Sequence, residues 1–209
     1  MTLTTYEYTN NFVPPTEAYY RLTAKDGTYF VTKTPFWDAT IRETTTRNKT
    51  LQPCTEAYTL HLPRKIDAST TIRAHAFFHT VKATHGTEAL LLIFANPTTG
   101  EYDLVAPPQH NTPGSVTAHA LCAPDDFVEL GSIHSHPAGA FHSTTDIADE
   151  TTSDGIHLVF GYVDRFVPDI VATLTVRGKR FPLNPNDVLD LPYHYQGSWL
   201  LSINHGGTK

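Results

Sequence analysis

His134 and His136 stand two residues apart in the segment Gly131 to Asp146, whose sequence is GSIHSHPAGAFHSTTD. In an extended strand such residues point to one face, so the two imidazoles project together while Ile133 and Ser135 face the other way. Pro137 ends the run, and a carboxylate, Asp146, arrives from the next element. Two imidazoles and a carboxylate match the three N or O ligands of a catalytic zinc site. Such a site keeps its fourth position for water, whose pKa falls to about 7. The chemistry on offer is metal-assisted hydrolysis.

A strand and a helix must position this set. Phe127 to His136 reads as the strand. Ser143-Thr-Thr-Asp146 resembles a capping sequence for a helix that starts near Ser143 or Thr145 and runs to about Ser153, before Gly155. Upstream, Glu88 to Ala95 is an apolar run bounded by Asn96-Pro97 and Gly100. With Tyr102 to Ala106 it predicts a buried strand, a turn and an antiparallel neighbour. Ser115 to Leu121, Ile156 to Val163 and Ile170 to Val176 are further strands, with Arg177-Gly178-Lys179 a hairpin turn. Pro63 early in a run with Ile66, Ile72, Ala76, Phe77 and Val81 predicts an amphipathic helix closing at Gly86. Residues before it are rich in aromatics and Thr. Short strands at Thr28 to Thr32 and Thr40 to Arg42, a turn at Asp26-Gly27 and an exposed loop from Glu43 to Thr50 are expected there. The tail from Pro182 reads as irregular.

The chain has 209 residues, enough to bury a self-sufficient core. The division expected is a β-rich extension, 1–62, and a main domain, 63–209. Two cysteines, Cys54 and Cys122, form no C-x-x-C pair, which fits a reducing cytoplasmic setting and offers no thiolate zinc knuckle. The longest apolar run, Ala89 to Ala95, is far short of the about 20 residues of a membrane span, and the N-terminal sequence has no signal-like core. With 15 basic against 21 acidic side chains the net charge is -6, and adjacent Lys/Arg reach only pairs such as Arg64-Lys65. Nucleic acid is therefore disfavoured as a partner.

His134-Ser-His136-Pro137, then Ser143-x-x-Asp146, with a Glu opening an upstream apolar strand, resembles the JAMM (MPN-domain) zinc metalloprotease family over roughly residues 63 to 185. Asp146-Ile-Ala-Asp149-Glu150 followed by Gly155-Ile-His157 also resembles prokaryotic JAMM proteins of the PRTRC system protein A type. The resemblance implies an α/β fold: a mixed β-sheet flanked by helices in a sandwich related to cytidine deaminases. It implies Zn2+ on His134, His136 and Asp146, with cleavage of isopeptide or peptide bonds to a ubiquitin-like protein or peptide. The family pattern has ten residues between the second His and the Asp. Here Pro137 to Thr145 are nine, and Gly139 is the residue expected to absorb the tighter turn.

In the implied mechanism Glu88 takes a proton from the zinc-activated water and returns it to the departing amine, and Ser143 donates its hydroxyl to the oxyanion. A carboxylate at the threshold of a buried strand is costly without a partner, which itself marks a site. Glu101, Glu129 and Glu150 are the rivals: Glu101 lies in a turn, Glu129 is on the opposite face of an unbroken strand, and Glu150 is read as solvent-facing. Asp149 competes less well for the ligand role. His142 is expected to be exposed, His119 and His157 structural, and both cysteines buried or semi-buried. The alternative function is a non-catalytic MPN-fold or RadC-like partner-binding module. A base deaminase would need His-x-Glu and Pro-Cys-x-x-Cys, neither of which occurs.

Overall fold

The structure, a computed structural model, describes residues 3–191. The chain divides into two compact units, Met1–Leu62 and the remainder from Pro63. In the first, strands β1 (Thr5–Glu7), β2 (Tyr19–Ala24), β3 (Gly27–Lys33), β4 (Trp37–Thr45) and β5 (Ala57–Leu60) form one sheet in that order. β1 joins β2 in parallel and the other pairs are antiparallel. Period-two alternation buries Tyr20, Leu22 and Ala24 with Tyr29 and Val31, and Tyr6, Tyr8, Phe12 and Cys54 pack against them. The expected loop from Glu43 to Thr50 begins three residues later, at Thr46. β4 continues to Thr45, and the Glu43 carboxylate accepts from Arg21 Nε at 2.7 Å.

The second unit opens with helix α1 (Ala68–His85), followed by strands β6 (Leu90–Ala95), β7 (Tyr102–Val105), β8 (Gln109–Thr112), β9 (Ser115–Ala118) and β10 (Val128–His136). Helix α2 (Thr144–Glu150), strands β11 (Gly155–Gly161), β12 (Asp169–Val176) and β13 (Lys179–Leu183), and the short helix α3 (Pro185–Val188) complete it. Six strands make one sheet in the order β13-β12-β11-β10-β6-β7. β10 and β11 run parallel and the other neighbours antiparallel, so the sheet is mixed and the fold α/β. β8 and β9 form a separate hairpin. One face of the sheet contributes Ile133, Leu158, Phe160 and Leu174 to the core, with the Phe160 ring 5.7 Å from Phe78 of α1. Arg177 (φ 49) and Gly178 (φ 76) form the two-residue β12–β13 turn, whose positive φ values suit the twist of a hairpin.

Three expectations are corrected here. The first helix starts at Ala68, not at Pro63: Asp67 is its N-cap, and Ile66 instead makes a parallel bridge with Leu189. Its buried residues are Thr70, Thr71, Ala74 and Phe78, whereas Ile72 is exposed. Gly86 does close it, in the left-handed conformation that glycine adopts without a Cβ penalty. The tail is ordered into β13 and α3 as far as Val188, because Pro182 falls on an edge strand and Pro185 at a helix start, both places that tolerate proline. The part of the tail beyond residue 191 lies outside the described residues.

Asp67 accepts from Ser69 Oγ at 2.5 Å and from the Thr70 hydroxyl and amide at 2.7 and 3.0 Å, bonds that hold its carboxyl well below the usual range. Asp67→Ala is expected to cost about 1 kcal/mol at neutral pH. A depressed carboxyl stabilises fully above its unfolded pKa of about 3.9 and progressively less as pH falls through the lower folded value. Melting temperatures of the two proteins should therefore begin to approach each other as pH falls below about 4, and meet only once pH has passed the depressed folded value.

Candidate metal centre

His134 and His136 lie on the last turns of the β10 pleat and point to one face, both buried. Their Nε2 atoms are 3.2 Å apart. The Asp146 carboxylate meets them from the first turn of α2, Oδ1 at 3.4 Å from His134 Nε2 and Oδ2 at 3.2 Å from His136 Nε2. Burial opposes charge on Asp146, but the hydrogen bonds of His134 and His136 and the Ser143 contact outweigh it and hold the carboxyl far below the ordinary range. The three donors form the one candidate metal-binding group among the described residues, with all ligand atoms within 4.8 Å of one another. Ligands about 2.0–2.1 Å from a tetrahedral centre are themselves roughly 3.3–3.4 Å apart. The spacings here fit that edge, so the donor set suits a small divalent cation.

Ser143 is the N-cap of α2 and completes a capping box: its oxygen accepts from Asp146 N–H at 3.2 Å, and its own N–H donates to Asp146 Oδ2 at 2.6 Å. The cap is thus Ser143 and not Thr145. The box aims Asp146 by fixing one of its oxygens.

Glu88 arrives through the β6/β10 register. Leu91 pairs with Ile133 and Leu90 with His134; continuing two places sets Glu88 opposite His136. A clip extends the pairing beyond β6, since Ser135 N–H donates to Ala89 O at 2.9 Å and Ser135 Oγ accepts from Ala89 N–H at 3.0 Å. The Glu88 amide donates to Thr112 O of β8 at 2.9 Å. The residue is 5 % exposed, with Oε1 4.0 Å from His136 Nε2. Burial raises its pKa, against the pull of the two histidines.

The short ligand loop is accommodated differently from the expectation. Gly139 does not adopt positive φ. The loop instead passes tightly over β11 at Gly161, where a Cβ would come 2.0 Å from Ala140 N and 2.3 Å from Gly139 C. Tyr162 N–H donates to Ala138 O at 2.6 Å, and Lys82 Nζ of α1 donates to Pro137 O at 2.8 Å. Gly161→Ala should lift the loop from the sheet and weaken binding of a divalent metal by roughly 10-fold, the lower end for groups that orient ligands from outside the coordination sphere. Chelator-competition titration reads this directly.

Several expected placements are overturned. A bulge interrupts β10: the register steps from Glu129↔Phe94 to Gly131↔Ile93, leaving Leu130 as the extra residue. Gly131 (φ 150) permits it, because a Cβ there would lie 1.9 Å from Ile156 O. Glu129 consequently lines the same cleft of about 160 Å³ as Leu90, Leu92, Val116, His134 and Asp146. Glu150 is not solvent-facing but 5 % exposed. Its Oε1 contacts His142 Nδ1 at 2.6 Å and its Oε2 accepts from Arg180 at 2.9 Å, which also corrects His142. Burial disfavours the Glu150 charge, yet the His142 bond and the charges of His142, His157 and Arg180 keep its pKa lowered. His119 and Cys122 are exposed, because the segment after β9 is open to solvent. Asp149 is exposed at the cleft rim, and Glu101 is exposed in its turn. His157, by contrast, is the structural histidine expected, buried and bonded to Ser132 Oγ at 3.0 Å and Ser153 O at 3.1 Å.

Compared with models of known families and with curated proteins, the chain matches none. Among the described residues no helix is long and apolar enough to cross a membrane.

Proposed function

We propose that this protein is a JAMM-type zinc metalloprotease, an isopeptidase or peptidase that removes or processes a ubiquitin-like modifier in the cytoplasm. The reading takes the unit from Pro63 as the catalytic domain, a helix-flanked sandwich of the JAMM and cytidine-deaminase kind, and residues 1–62 as an extension. One observation carries it: a buried carboxylate, Glu88, stands beside His134, His136 and Asp146 without belonging to their three-donor cluster. A metal site that is only structural has no use for such a group.

His134, His136 and Asp146 would hold zinc, which supplies Lewis acidity toward water and the scissile carbonyl. Glu88 accepts a proton from the attacking water as its oxygen bonds to the carbonyl carbon. It delivers that proton to the amine nitrogen as the C–N bond breaks, so one carboxylate serves as base and then acid. Ser143 accepts the Asp146 amide through a lone pair, which leaves its hydroxyl hydrogen to donate to the developing oxyanion.

The test is cleavage of isopeptide conjugates and linear fusions of ubiquitin-like proteins by purified protein of measured zinc content. Near-stoichiometric zinc with cleavage that stops on chelation and returns with zinc supports the reading. Zinc without cleavage would favour the non-catalytic MPN-fold or RadC-like partner-binding module, and a protein that takes up no zinc would sink the metal-centred mechanism.

A further inference from the structure

Helix α2 carries a metal ligand but has almost nothing apolar to hold it. Among its described residues Glu150 is the buried one, while Ile147 is 36 % exposed. Glu150 follows Asp146 by four residues, one helical turn, so the two project from the same face. Glu150 is gripped from two sides. His142, immediately before the cap residue Ser143, contacts Oε1 at 2.6 Å, and Arg180 of β13 donates to Oε2 at 2.9 Å. Thr173 of β12 adds a bond to His142 Nε2 at 3.0 Å and one from Arg180 at 3.4 Å.

These groups share the sheet face that bears the metal ligands. Ser132, His134 and His136 alternate along β10; His157 pairs with Ser132 and Thr173 with His157, while Arg180 pairs with Thr175, two residues from Thr173. The polar row thus runs from the ligand strand to the far edge of the sheet. An apolar helix face tolerates sliding and rotation, whereas a carboxylate bonded at both oxygens fixes both. We propose that Glu150, with His142 and Arg180, is the anchor that sets the rotation of α2 and so aims Asp146 at the metal: positioning residues rather than catalytic ones. The proposal rests on the metal-centre reading above.

The test measures Co2+ and Zn2+ affinity by chelator competition and the visible spectrum of the Co2+-loaded protein, which reports ligand geometry. The variants are Glu150→Gln, His142→Phe, and the pair Glu150→Leu with Arg180→Leu. The double variant removes the ion pair without orphaning a buried charge and so guards against simple unfolding. Expected are a roughly 10- to 100-fold loss of metal affinity and an altered Co2+ spectrum in His142→Phe and in the double variant. Glu150→Gln keeps the length of the side chain and one acceptor oxygen for Arg180 but loses the second carboxylate oxygen, so its loss of affinity should be smaller than in the other two variants. Folded variants with wild-type affinity and spectrum, beside a wild type that binds metal, would overturn the anchor alone. A wild type that binds neither metal overturns the metal-centre reading and the anchor with it.

Discussion

His136→Ala should abolish stoichiometric zinc binding and, with it, all turnover. His136 Nε2 is the atom common to most of the short distances in the cluster: 3.2 Å to His134, 3.2 Å to Asp146 and 4.0 Å to Glu88. Its removal leaves one imidazole and one carboxylate, too few for the three-ligand set of a catalytic site. The loss of affinity should exceed the 10- to 100-fold attached to outer-shell groups. A second readout needs no substrate. Zinc at about 100 times its dissociation constant stabilises a protein that binds it only when folded by roughly 2.7 kcal/mol. For a chain of this size that raises the melting temperature by roughly 5–10 °C. The wild type should show this rise and His136→Ala should not; an equal rise in both would mean that the metal binds elsewhere.

Glu88→Gln should do the opposite at the metal and the same to turnover. Glutamine preserves the volume and half of the hydrogen-bonding capacity of the side chain but cannot accept a proton from water. Zinc content should be unchanged, because Glu88 Oε1 belongs to no ligand triplet. The rate should fall by about 10²- to 10⁴-fold, the usual contribution of a positioned general acid–base group, and more if both proton transfers depend on it. Retention of activity within a few-fold would transfer the role to another carboxylate. Glu129 would be next to test, since the β10 bulge turns it into the cleft beside His134. The two variants together separate metal loss from base loss.

What could be read in the sequence follows from interaction range. The i, i+2 pair on β10, the cap at Ser143, the apolar run of β6 and the Arg177-Gly178 turn are local patterns, and the structure has each of them where the pattern lies. The two arms of the β8–β9 hairpin were half legible, with only Ser115 onward showing a strand pattern. Glu129 departs from its expected face because period-two alternation fails at a bulge, of which Gly131 within a strand is the one local sign. Glu150 and His142 escape the sequence pattern for another reason. A charged residue and a histidine near a loop are ordinarily solvated, and their partners, Arg180 and Thr173, are 30 and 31 residues away in sequence. The i, i+4 spacing of Asp146 and Glu150 was the one local hint. The sequence pattern opens the first helix too early because Pro63 imitates a helix-opening proline, whereas the capping contacts belong to Asp67.

The edges of the six-stranded sheet also bear on how the protein behaves at high concentration. β13 is one margin, and Pro182 within it has no N–H with which to extend a ladder, while exposed Lys179 places charge beside it. β7 is the other margin and is only four residues long, with Asp103 exposed along it. A short, charged margin and a proline-interrupted one are the devices by which sheets avoid templating the strands of neighbouring molecules. Among the described residues, the sheet that carries the candidate metal ligands is accordingly built to resist edge-to-edge aggregation on both sides.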